Sequence, residues 1–451
     1  MNALRSSGSI RQSRRMWLQA GAAGVAALLS ACRTGAPAQQ APAKSAALSG
    51  TIEFWAESGS DLARQLWDEM QKSFTQVYPN ITVTIVGPPA GENRDQKLFA
   101  ALAAGIGPDT WQRDIPPSYQ QPLVDAEQVL ALDPYYATMP NLKRVFPWAR
   151  KRGMINGKTW GVPHEVEFIP VFYNKRVFAE LGIRQLPSTY DQLLTLCKTI
   201  KAAGIQPLIV ATGRASPGHL YSAILMAIIG KEGTEEILYR NGRWDSEGPT
   251  RAAQIIVDLQ NLEYLPKNPY DPQWNAANDF PSGKVAMWPN GTWALATYER
   301  NKEQFLGFDY GYFPFPLVNP TIKRTVAGGI GGGFSVNSKT KNVEASVAWI
   351  DHLMSPAAQK LWIEILIQVS PTPFKPEDYQ VPEGVREALR TISTGEEMGY
   401  NISVVSPAKF VDEYWDGLKA ILQGQMQPKE WTARLQQQWE IAKAEGRVLK
   451  P

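Results

Sequence analysis

Two carboxylates two residues apart, Glu165 and Glu167, stand between His164 and an apolar, β-rich run from Phe168 to Tyr173. Side chains two apart share one face of a strand, so both acids would point the same way. Flat aromatic faces accompany them in Trp160, Tyr173, Trp288 and Trp293. Aromatic planes beside carboxylates, amides and guanidinium groups suit a ligand with partly apolar ring faces and a rim of hydroxyls, as a sugar has. The same two acids could imitate a glycosidase pair. That reaction needs carboxylates flanking one bond at a defined separation, which a spacing of two within one strand does not establish. No H-E-x-x-H, G-x-S-x-G or G-x-x-x-x-G-K-[ST] occurs. His164, His219 and His352 are far apart in sequence and read as structural. The glycine run from Gly328 to Gly333 lacks the dinucleotide-binding spacing. Neither a metal, a cofactor nor catalysis is expected.

Several elements must position these groups. Thr51 to Trp55 alternates about Ile52 and Phe54 as a strand, and Ile81 to Val86 alternates likewise. Leu62, Leu66, Met70, Phe74 and Val77 recur at helical spacing over Ser58 to Val77, and a second helix runs from Asp95 to Ala104. This rhythm argues an α/β unit with a partly parallel sheet. Ligands of such sheets sit beyond the carboxyl ends of the strands. Trp55 and Glu57 are thereby placed at a cleft edge, as are Trp111, Arg113 and Asp114. Asn156-Gly157 is a hairpin signal. A helix from Lys175 to Leu181 is closed by Gly182, and Ser188 or Thr189 caps the next. A strand at Pro207 to Ala211 leads to a Gly/Ser/Pro loop, then to Leu220 to Ile229, apolar all round and read as a buried helix. Val285 to Trp288 forms a short buried strand before Asn290-Gly291, which would turn Asn290, backbone N–H groups and Trp293 toward the ligand. Glycines such as Gly329 would let ligand or hinge approach the backbone. Phe410, Tyr414 and Trp415 cluster on a C-terminal helix and fit either a core or the cleft.

Composition narrows the partners. A chain of 451 residues is too long for one core. The formal charge of +3 is misleading, because residues 1–31 hold four arginines and no acid. Only 42 of the 46 basic residues remain to offset all 43 acids, a net of −1. A near-neutral mature chain argues against nucleic acid. Cys197 lies in an apolar helical run and reads as core. Fifteen tryptophans imply large cores with some rings to spare for a cleft.

Ser13-Arg14-Arg15-Met16-Trp17-Leu18 resembles the twin-arginine export signal, and Leu29-Ser30-Ala31-Cys32 the bacterial lipobox. The second resemblance implies acylation of Cys32 after cleavage. The Ala-, Pro- and Gln-rich stretch that follows suits a flexible tether. The rest, from Thr51 to about Leu435, resembles the extracellular solute-binding proteins of bacterial ABC importers, in the group that includes maltose- and other sugar-binding proteins. The motifs are Phe74 with Tyr78-Pro79-Asn80-Ile81, Lys97 to Pro108-Asp109, Gly157 to Pro163 with Tyr173-Asn174-Lys175, Gly283 to Trp293, and Ser355-Pro356 with Gln359.

The resemblance implies an α/β, two-lobed, periplasmic-binding-protein-like fold of type II. Each lobe would be a mixed sheet flanked by helices, and the chain would cross the hinge more than once. It implies a signal peptide over 1–31, a tether over 32–49, a first lobe from 50–165 and 316–370, and a second from 166–315 and 371–451. The expected ligand set is Trp55, Glu57, Trp111, Asp114, Glu165, Glu167, Tyr173, Asn290, Trp293, Gly329 and Tyr414. The expected role is a monomer held by lipid to the outer face of the cytoplasmic membrane, delivering a mono- or oligosaccharide to an ABC permease. A glycerol phosphoester or a polyamine is the alternative solute, and a glycan-active enzyme the remote alternative.

Overall fold

The structure is a computed structural model that describes residues 48–87, 94–211 and 213–448. The export signal, Cys32 and nearly all of the tether lie outside these residues.

The chain first lays down β1 (Gly50–Trp55), β2 (Ile81–Val86) and β3 (Thr110–Asp114). Short strands follow: β4 (Met154–Ile155), β5 (Lys158–Thr159), β6 (Val162–Pro163), β7 (Val166–Phe168) and β8 (Val171–Asn174). Then come β9 (Gln206–Leu208), β10 (Val285–Pro289), β11 (Tyr310–Phe313), β12 (Gly328–Ile330) and β13 (Gly332–Val336). They build two mixed sheets, one ordered β2-β1-β3-β13-β6 and the other β11-β8-β10-β9. Each sheet centres one α/β lobe.

The lobes are joined by paired antiparallel strands. The chain leaves the first sheet at β6, passes through β7 and enters the second sheet at β8. It returns from β11 through β12 to β13. β7 pairs with β12, placing Glu167 opposite Gly329 and Val166 opposite Ile330. β13 then pairs with β6 and β3 in the first sheet.

Local chemistry fixes the element ends. The helix expected from Ser58 begins at Asp61, because the Ser60 hydroxyl accepts the Ala63 N–H at 3.1 Å and caps it. Asn156 and Gly157 both adopt left-handed backbone, φ 53° and 71°, as a two-residue hairpin turn between β4 and β5 demands. Thr189 and Gln192 form a reciprocal capping box. The apolar stretch expected at Leu220–Ile229 is the core part of a longer helix, Ser216–Tyr239, which bends where Gly230 takes φ 67°. The strand expected over Pro207–Ala211 spans Gln206–Leu208. Among the described residues no helix is long and apolar enough to cross a membrane.

In the first lobe Phe54, Trp67, Trp349 and Trp362 form a chain of edge-to-face rings. Such pairs stabilise beyond their area burial, by about 1 kcal/mol each. In the second lobe the helices Ser216–Tyr239, Glu247–Asn261, Ala408–Leu422 and Pro428–Ala444 share one core containing Tyr221, Trp244, Tyr414 and Trp431. Cys197 is buried there.

Candidate functional site

Where β7 and β12 link the sheets, a cavity of about 260 Å³ opens. Its walls include Asp114 and Tyr119 from the first lobe, Glu167 and Gly331 from the linking strands, and His219 and Trp293 from the second lobe. Asp114 is the last residue of β3 and Tyr119 lies in the helix Pro117–Asp125 that follows. The site therefore sits beyond the carboxyl end of a parallel strand.

The glycine run has a steric explanation. A Cβ on Gly331 would lie 2.6 Å from the Glu167 carboxylate. A Cβ on Gly332 would lie 2.9 Å from the Glu165 carboxylate and 3.0 Å from the His164 ring. The glycines leave the volume that these three side chains occupy. His164 is fully buried, stacked between Phe334 and Trp362 at 4.6 and 4.8 Å, with its Nε2 3.0 Å from the Gln112 amide. Burial lowers its pKa to about 3, so it is neutral at physiological pH.

Acid dominates the electrostatics. Burial, then the charge of Asp114, pushes the Glu165 carboxyl up to about 8, against a hydrogen bond from the Gly332 backbone. Burial, then the charges of Glu165 and Asp114, holds Glu167 well above the ordinary carboxylate range. Asp114 is also raised, chiefly by burial, with Arg113 and Arg94 opposing. Burial, then Asp114 and Glu167, raises the Tyr119 phenol. Burial lowers His219 to about 4, and its Nδ1 has no protein partner.

Of the expected ligand residues, the structure brings Asp114, Glu167 and Trp293 to the cavity wall. Trp293 is 37% exposed and its ring meets His219 edge-on at 4.9 Å. Glu165 adjoins Glu167 and lines a narrow crevice behind it, together with Trp293. Glu57 is exposed and acts electrostatically on both Asp114 and Glu165.

The others belong elsewhere. Trp111 is 1% exposed and packs with Leu98, Leu102 and Leu123. Its strand position points it into the helix layer. Trp55 packs against that cluster and donates its indole N–H to Glu53 at 2.5 Å. Tyr173 lies on Phe178 at 4.4 Å, over the space left by Gly311. Asn290 is a turn residue: its amide donates to the Tyr298 hydroxyl and its oxygen accepts the Gly291 N–H. Gly329, φ 150°, is buried with the Arg152 guanidinium 3.3 Å from where a Cβ would stand. Tyr414 is fully buried and donates to the Gly218 carbonyl. Arg113 is held by Asp95 through two hydrogen bonds of 3.0 and 3.1 Å.

Tyr119, His219, Asn401 and Ser403, all at the wall, were missed by sequence reasoning. The signal for His219 was its place just after the Gly/Ser/Pro loop beyond β9. Nothing in the local sequence marks the other three.

Comparisons with known proteins bear on the family and the fold. The family model described as bacterial extracellular solute-binding protein matches residues 57–360. An uncharacterised ABC transporter extracellular-binding protein of Pyrococcus horikoshii is 25% identical over 338 residues, 72% of each chain. The multiple sugar-binding protein of Streptococcus mutans is 26% identical over 220 residues, 47% of this chain and 51% of that protein. Among solved structures, a chitin oligosaccharide binding protein superposes with a TM-score of 0.74 at 21% identity, covering 88% of this chain and 99% of its own. The sugar-binding protein MalE of Xanthomonas citri superposes at 0.68 and 18%, covering 88% and 98%.

Proposed function

Because this chain belongs to the bacterial extracellular solute-binding proteins, we propose that it captures a carbohydrate between its lobes and delivers it to an ABC-type importer. The observation that carries the reading is the cavity at the lobe junction, whose wall brings together the partly exposed Trp293 indole, Asp114 and Glu167. An indole face accepts the apolar side of a sugar ring, and carboxylates accept its hydroxyl protons. Names among the relatives and neighbours, such as multiple sugar-binding protein and chitin oligosaccharide binding protein, support the class. A cavity of about 260 Å³ is at the small end for ligand sites and favours a short sugar.

Glu165 and Glu167 are assigned to binding, not hydrolysis. They leave one short segment and meet neighbouring glycines, Gly332 and Gly331, so they approach a ligand from one side. Retaining and inverting hydrolysis both need acids on two sides of the bond. The phosphoester alternative loses support, since Arg113 is occupied by Asp95 and Arg214 by Asp412 and Asp416.

Lobe one is read as 50–165 with 316–370, and lobe two as 166–315 with 371–451. Closure would bend the paired strands β6–β7 and β12–β13, the hinge mode of ligand capture. Export, acylation of Cys32, membrane tethering and a monomeric state complete the proposal. A thermal-shift screen of the chain against mono- and oligosaccharides tests it. A rise with one sugar class, abolished in Trp293→Ala, is expected by mass action. A rise with no carbohydrate, and release of reducing sugar from a glycan, would replace binding with catalysis.

A further inference from the structure

We infer that the solute carries a protonated amine, as an amino sugar does, which sits against Glu167 and Asp114 with its ring on Trp293; this rests on the cavity being the solute site. Glu57 acts through space on Asp114 and Glu165, and Asp114 and Glu165 act on Glu167. The cations near them are few. Arg113 makes two hydrogen bonds to Asp95 and, with Arg94, acts on Asp114 through space. The histidines supply no charge, because burial keeps both His164 and His219 neutral at physiological pH.

Glu167 makes the case specific. Its carboxylate keeps a part-exposed edge on the cavity and is otherwise ringed by protein. Among the described residues no group donates a hydrogen bond to it, and neighbouring acids rather than cations act on it. Ionising an enclosed carboxyl that has no donor is costly unless something else compensates it, which is why its pKa stands raised in the empty site. Gly331 holds open the space beside it. On the facing wall the His219 Nδ1 is buried without a partner and the Trp293 indole is half-exposed.

A neutral sugar would satisfy hydrogen bonds but leave these acids protonated, since it brings no charge to offset their ionisation. An ammonium supplies donors and charge together, and charge-assisted hydrogen bonds are the stronger kind. Its attraction to an indole face adds to this.

Isothermal titration of the full chain with three probes decides the matter: a glucosamine disaccharide, its di-N-acetylated form, and spermidine. The first pair differ only in amine against acetamide. The free amine is expected to bind at least about tenfold more tightly than the acetamide. Glu167→Gln, which keeps the side-chain shape, is expected to remove that preference by weakening the free amine about tenfold more than the acetamide. Equal or tighter binding of the acetylated sugar, with Glu167→Gln indifferent to either, overturns the amine and leaves carbohydrate capture standing. Binding of spermidine alone keeps the amine and overturns the sugar. Binding of neither amine overturns this inference, and the neutral-sugar screen above then judges the broader reading by itself.

Discussion

Glu165 owes its weakened acidity first to burial and then to the charge of Asp114, in a partly enclosed wall. The sign of the consequence follows from linkage. Its folded-state pKa, about 8, lies above the ordinary value of about 4.3. The stability it contributes is therefore complete below the ordinary value and is lost as pH rises toward about 8. Thermal denaturation of the unliganded protein between about pH 5 and pH 8.5 should show a falling Tm over that window. Glu165→Gln should flatten the fall, and an unchanged slope in that variant would place the titration elsewhere. Trp293 makes the contrasting case. Being half-exposed, it contributes little to the core, so Trp293→Ala should shift the Tm of the empty protein by no more than a few degrees. The same change should weaken ligand affinity by about tenfold or more, the scale of one lost aromatic platform. A large loss of stability with unchanged affinity would make the ring structural.

At the level of elements, the crossing strands carry the most constraint. A Cβ at position 333 would lie 2.6 Å from the Val162 carbonyl oxygen, and backbone cannot rotate away. Gly333→Ala should thus cost about 1–3 kcal/mol in urea denaturation, the range for overpacking. Gly331→Ala meets the flexible end of Glu167 instead, at 2.6 Å. It should spare stability and reduce affinity, because Glu167 must swing from the cavity wall. Much of this scale was legible beforehand. Period-two alternation marked β1 and β2, the helical spacing marked Asp61–Val77, and Asn156-Gly157 marked its hairpin. Where boundaries moved, side-chain capping decided them, as Ser60 did for the first helix.

For the whole molecule, the defining feature is that both lobes are tied by neighbouring antiparallel strands, with further contacts away from the hinge. Ser118 donates to the Val404 carbonyl at 3.2 Å across the cavity rim. Arg152 reaches Glu397 and the carbonyls of Met398 and Gly399, with its guanidinium 3.7 Å above the Tyr400 ring. Arg152 is 3% exposed, so Arg152→Met strands buried acceptors and should cost about 3 kcal/mol in urea denaturation. Binding should stabilise the protein by about 2.7 kcal/mol at a hundredfold excess over Kd. Closure should lower the radius of gyration in solution scattering. A ligand that raises the Tm without compaction would bind a site that is already closed.

By itself the sequence determined the family, the two α/β lobes and the segment where acids meet the glycine run. Motif order, hydrophobic period and turn residues are local properties that survive without coordinates. It also supplied Asp114, Glu167 and Trp293, the first from the rule that ligands lie beyond strand ends. Only the tertiary structure decided which aromatic rings were spare. Trp111 and Trp293 are the same residue type, yet one is 1% exposed and the other 37%. Burial depends on what packs against a face from distant parts of the chain. Tyr414 went to the core for that reason, and Tyr119, Asn401 and Ser403 reached the cavity wall from segments whose own sequence gives no sign of it.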